Sequence, residues 1–156
     1  MIVSTTRLRL RSWRYLVGFA RDTLGSLRQA KAAAGCLDGQ LLFERRRTFW
    51  TVTRWSSEAA MRAWRGSSAH ARAMPHLLEW CDEASVVRWE APEDAPFPTW
   101  EECHRRMVSQ GRPSKVRHPS DAHRMGTGLV PTPRLGWRRP LAFKGAAGGA
   151  SATERN

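Results

Sequence analysis

The side chains best able to do chemistry cluster between Thr48 and Cys81. His70 stands in helical phase with Met74, Leu77 and Cys81, at offsets of four, seven and eleven residues. Its imidazole therefore belongs to the apolar side of a helix. An imidazole held among tryptophan and methionine suits a haem axial ligand or an acid–base group. The same position equally suits a core histidine that donates to a backbone carbonyl. Trp50, Trp55, Trp64 and Trp80 either wall a cavity for a flat apolar ligand or fill a core. Arg54 shares a strand face with Trp50, and Arg7, Arg9 and Arg11 alternate along an earlier stretch. Guanidinium groups pair bidentately with carboxylates, so a cavity with these arginines nearby suits an anionic or polyphenolic substrate, or haem propionates.

Other reactive residues carry less. His76 follows Pro75 and lies off the apolar stripe, which places it toward solvent. The His70 to His76 spacing is not the i,i+4 pair of a helical zinc site. His104, His118 and His123 fall in or after a proline-rich linker and reach the core only if the segment after it folds back. Cys36, Cys81 and Cys103 are far apart and odd in number, with no Cys-x-x-Cys pair, so neither a disulfide framework nor a zinc ribbon is expected. Cys81 reads as a small core residue. The amino terminus has no apolar signal core, and no apolar run reaches the ~18 residues of a spanning helix. The expectation is a reduced, cytoplasmic protein without a membrane span.

Positioning these residues requires a sheet and two helical layers. Leu8 and Leu10 alternate with Arg7, Arg9 and Arg11, giving a strand with one aliphatic face and one arginine face. From Trp13 the apolar period becomes helical through Ala34, and Gly35 is a suitable stop. Cys36–Glu44 and Thr48–Trp55 read as strands joined by Arg45, Arg46 and Arg47 in an antiparallel hairpin. Ser56 and Ser57 cap a helix over 58–65, which Gly66 interrupts. A second helical piece runs from Ala69 to about Cys81, with a kink or restart expected at Pro75. A fourth strand covers 84–90. Strand, helix, two strands, helix, strand is the order of a ferredoxin-like α+β sandwich, βαββαβ. The expected division is that domain at 1–90, a linker and short helix at 91–118, and an irregular basic tail at 119–156, expected to be largely disordered. Thr99-x-x-Glu102 is the capping box of the short helix.

The formal net charge is +12, yet only three of the 26 basic residues are lysines. The arginines are spread along the chain rather than clustered, and no stacking-platform or helix-turn-helix motif is present, so nucleic acid is not the expected partner.

The residues Phe49 to Trp55, Ser57-Glu58-Ala59, Trp64 and Ser68-Ala69-His70 resemble the antibiotic-biosynthesis-monooxygenase-like family and the related DUF3291-type proteins of the dimeric α/β-barrel superfamily. Spheroidene monooxygenase is a more distant likeness. The resemblance covers residues 4–90 and implies a protomer whose sheet pairs with a second copy to close a barrel, hence a homodimer. It implies a monooxygenase-like enzyme acting on a hydrophobic or aromatic small molecule, with either no cofactor or haem. His70 falls where haem-degrading relatives bind iron, and Trp64 or Trp55 matches their core tryptophan. Their helical asparagine has no counterpart, because the chain has no asparagine before Asn156. The expected site is therefore His70 and Trp64 as catalytic groups, His70 also as iron ligand, and Trp50, Trp55, Arg54, Arg9 and Met74 around the substrate. The alternative is a non-catalytic ligand-binding or dimerisation module of the same fold.

Overall fold

A computed structural model describes residues 1–44, 46–126 and 140–147. Its elements in order are β1 (Ile2–Leu10), α1 (Leu16–Ala32), β2 (Cys36–Glu44), β3 (Thr48–Trp55), α2 (Glu58–Arg65), α3 (Ser68–Trp80), β4 (Cys81–Glu90), α4 (Trp100–Gln110), β5 (Arg112–Pro113), α5 (Asp121–Arg124) and β6 (Leu141–Lys144). The six strands form one sheet in the order β5-β4-β1-β3-β2-β6, antiparallel throughout. The central four strands, with α1 and then α2 and α3 as crossovers, make the ferredoxin-like α+β fold expected from the sequence.

Local chemistry accounts for the boundaries. Gly35 adopts a φ of +82°, a left-handed conformation that ends the α1 connection and turns the chain into β2. The Ser57 hydroxyl accepts from the Ala60 amide at 3.1 Å and starts α2. Thr99 does the same for Glu102 at 3.2 Å at the start of α4. Of the kink or restart expected at Pro75, the restart is absent: α3 runs continuously from Ser68 to Trp80 around it. Proline costs this helix one hydrogen bond, and packing against α1 and the sheet holds it together.

Cross-strand register divides the sheet into two faces. Ser4, Thr6, Leu8, Thr51, Thr53, Ala84 and Val86 point toward α1, α2 and α3. Val3, Thr5, Arg7, Trp50, Val52 and Val87 point the other way, where α4 lies across the sheet with Cys103 and Met107 fully buried. This second face is the one an uncovered ferredoxin-like sheet offers to another layer. Here the chain's own α4 is that layer. The arginine row of β1 is correspondingly not solvated: Arg7 is buried and pairs with Glu83 at 2.7 Å.

Two further strands lie in segments read as linker and tail. β5 is a two-residue bridge to β4, and β6 pairs with β2 at the opposite edge. Phe143 of β6 packs on Gly39, where an added Cβ would meet the phenyl ring at 2.4 Å. The tail's remainder, 127–139 and 148–156, lies outside the described residues.

Candidate functional site

A cavity of about 270 Å³ separates the first sheet face from the helices. Its floor is Ser4, Thr6, Leu8, Thr51 and Thr53; its walls are α1 through Phe19, Thr23 and Leu27, and α3 through His70, Ala73, Met74 and Leu77. Trp64 of α2 and Phe143 of β6 complete the lining named here. The lining is mostly apolar, with strand hydroxyls at its base. This is the composition of a small-molecule pocket.

His70 is set by contacts that the sequence does not advertise. Gln29 of α1 donates from its Nε2 to the Trp64 and Ser67 carbonyls, each at 2.9 Å, and its Oε1 accepts from the His70 amide at 2.8 Å. One side chain thus ties α1 to the junction of α2 and α3. Ser68, at φ +51°, makes the sharp turn between those two helices. The His70 Nδ1 lies 3.1 Å from the Arg65 carbonyl oxygen. A carbonyl can only accept, so Nδ1 carries the proton and Nε2 keeps a free lone pair. Burial pushes the His70 pKa down, with Arg65's positive charge adding to the effect and the carbonyl hydrogen bond opposing it. The imidazole is consequently neutral near pH 7. Its ring packs against Trp64 at 4.1 Å between centroids, and Trp64 packs against Trp55 at 5.2 Å.

The residues expected around one site are split by the sheet. His70, Trp64 and Met74 line the cavity. Trp55 is on the same face but fully buried beneath Trp64, in a core cluster with Cys36 and Met61. Trp50, Arg54 and Arg9 are on the opposite face. Trp50 donates its indole N–H to Glu44 at 2.7 Å and stacks on His104 of α4 at 4.4 Å. Arg54 forms a bidentate pair with Asp38 at 2.7 and 2.6 Å. Arg9 pairs with Asp82 at 2.8 and 3.0 Å and with Glu83 at 2.8 Å. Strand alternation already separates Trp50 from Trp55, but it does not say which face the cavity occupies.

The remaining candidates are structural. His76 is exposed, 2.7 Å from Asp22 and stacked on Trp80. Cys36, Cys81 and Cys103 are buried free thiols, pushed up by burial to about 12, 12 and 11. None is a thiolate nucleophile near neutral pH. No group of histidine, cysteine and carboxylate residues fit to hold a metal ion occurs among the described residues. None of the described helices is long and apolar enough to cross a membrane.

For haem, the free Nε2 of His70 is a suitable ligand atom. The cavity volume is not suitable: about 270 Å³ is below the ~300–1,000 Å³ of pockets for drug-sized ligands. A tetrapyrrole would have to force α1 and α3 apart. The space present suits a molecule smaller than a tetrapyrrole.

Residues 20–76, from α1 into α3, match the family model described as antibiotic biosynthesis monooxygenase. No curated protein matches the chain. Several solved structures share the fold, among them the following three. Rv0793 from Mycobacterium tuberculosis is 16% identical with a TM-score of 0.54, covering 61% of this chain and 98% of that one. A putative antibiotic biosynthesis monooxygenase from Nitrosomonas europaea is 13% identical with a TM-score of 0.53, covering 58% and 98%. A putative antibiotic biosynthesis monooxygenase from Deinococcus radiodurans is 16% identical with a TM-score of 0.53, covering 64% and 100%. At these identities the likeness is one of fold. More than a third of this chain therefore lies outside those matches.

Proposed function

Starting from a chain that carries an antibiotic-biosynthesis-monooxygenase-like domain, we propose that it is a monooxygenase-like enzyme acting on a hydrophobic or aromatic small molecule. The substrate lies in the cavity between α1, α3 and the sheet. The observation that carries this reading is the neutral imidazole of His70 in the cavity wall, its Nδ1–H engaged by the Arg65 carbonyl and its Nε2 lone pair free. Such a nitrogen takes a proton from an acidic O–H or C–H of a bound substrate, leaving an electron-rich anion. Trp64 packs the imidazole from one side and supplies an aromatic wall, and Met74 adds a flexible apolar contact.

Trp55 supports Trp64 rather than the substrate. Arg9, Arg54 and Trp50 belong to the α4 side and hold the fold. A barrel-closing second copy would need the sheet face that α4 covers, so we propose that the protomer works without closing a barrel. Three free cysteines fit a reducing cytoplasm.

The test is oxygen consumption by the purified full chain with a panel of hydroxylated naphthalenes and anthrones. His70→Ala should abolish turnover while leaving binding of the same compounds within about threefold. Binding without turnover in the wild type would leave a non-catalytic ligand-binding module. Titration with haem in parallel distinguishes the cofactor reading: a Soret band lost in His70→Ala would replace the proton-transfer role with iron ligation.

A further inference from the structure

The cations near the sheet fall into two groups. Arg9 and Arg54 are consumed by Asp82, Glu83 and Asp38. Arg65, Arg88 and Lys115 are different. All three line the cavity with exposed side chains, and none lies within ion-pair distance of a carboxylate among the described residues. Asp22 is the acid in the lining, and it is engaged by His76 at 2.7 Å. Glu58, the acid close enough to be felt by Arg88, is held by Arg62 at 2.8 Å.

Arg88 sits in a positive field. Its pKa is lowered first by burial, then by Arg65, with Arg62 and Arg112 adding to the repulsion and Glu58 offsetting part of it. Like charges gathered at the rim of an apolar cavity repel one another, and low-dielectric walls make that repulsion larger than in open water. An anion seated at the rim removes the repulsion and gains charge-assisted hydrogen bonds. Arg65 and Arg88 are close enough to repel each other, and both line the cavity without a paired carboxylate among the described residues.

We propose that the cavity takes an apolar, ring-bearing molecule that carries a single anionic group, its rings inside against Phe19, Leu27 and Trp64, and its anion at Arg65 and Arg88. This inference rests on the reading of the cavity as the substrate site and names the substrate class. The anion at the rim also fixes which edge of the rings faces His70, so the cations set orientation as well as affinity.

Two fluorescent probes of the same ring system test it: 8-anilinonaphthalene-1-sulfonate and its uncharged counterpart N-phenyl-1-naphthylamine. Titrated into the full chain, the sulfonate should bind about tenfold more tightly than the neutral probe, and added salt should weaken only the sulfonate. The double variant Arg65→Gln, Arg88→Gln should erase that preference and leave the neutral probe's affinity unchanged. Both positions are exposed, and an unaltered circular dichroism spectrum will verify the fold. Equal affinities for the two probes in the wild type, or a sulfonate preference that survives the double variant, overturn the anion site while the cavity reading stands. Failure of both probes to bind overturns both.

Discussion

The two faces of this sheet are built from the same residue types and do opposite things. On the α4 face, each tryptophan, arginine and histidine singled out above has a structural partner: Trp50 with Glu44 and His104, Arg7 with Glu83, Arg54 with Asp38. On the α1–α3 face, His70 keeps a free nitrogen, and three cations stand at the rim of a cavity without counter-ions. A ring or a guanidinium is therefore not evidence of a site by its type. What separates wall from core is whether its polar atoms are already spent on the fold.

The comparison is broken most directly at the tryptophans. Trp50→Ala should cost about 3–5 kcal/mol in urea unfolding, because it empties a fully buried position and strips Glu44 of its donor. Trp64→Ala, at a half-buried cavity wall, should cost about half of that and should instead weaken binding of the neutral naphthylamine probe. Equal stability losses would mean that the two faces are both plain core.

The charged residues give the next largest contrast. Glu83 holds Arg7, Arg9 and the Ser120 hydroxyl at 2.7, 2.8 and 3.0 Å. Glu83→Ala should cost about 3 kcal/mol, since it leaves Arg7 buried without its main carboxylate. Arg88→Gln should move stability by less than about 0.5 kcal/mol. Light scattering on the full chain sharpens the same contrast, with the mass of one chain expected because α4 occupies the second face. A stable dimer whose Met107 becomes protected against oxidation no better than an exposed methionine would show α4 displaced.

The smallest expected effect is in pH. His104 is pushed down by burial, with Arg7 reinforcing the shift and Glu44 and Glu101 opposing it. Its folded pKa lies below the ordinary 6.5, so the unfolded chain binds the proton first as pH falls. Stability is then complete above about 6.5 and declines below it, levelling off under the folded pKa. His70 shifts in the same direction and contributes the same sign. Melting temperature followed from neutral to mildly acidic pH should fall, and His104→Gln should flatten part of that slope. A rise on acidification would contradict both shifts.

Periodicity was enough to read the βαββαβ order, the caps at Ser57 and Thr99, the stop at Gly35 and the inward phase of His70. Each depends on neighbours within a turn or a strand, so local steric and hydrogen-bond rules suffice. By sequence, Arg9 and Arg54 stand beside the aromatic strands and are the arginines that suggest an anion site. Their carboxylate partners lie 73 and 16 residues away in sequence, which no local pattern displays. Gln29 carries no local signal for the same reason: its partners, Trp64, Ser67 and His70, are 35 to 41 residues away. β6 was unreadable in a Gly- and Pro-rich tail because its four residues are held by the space that Gly39 leaves.

The amino-acid order alone therefore settled which residues form the elements of the βαββαβ core and α4, which side of those elements is apolar, and that His70 faces inward. Long-range packing settled the rest: that α4 turns back over one sheet face, that Trp50, Arg9 and Arg54 are spent there, and that the open cavity and its unpaired cations are on the other. Periods of 2 and 3.6 residues are properties of a single element. The choice of which face stays open belongs to contacts between elements far apart in the chain.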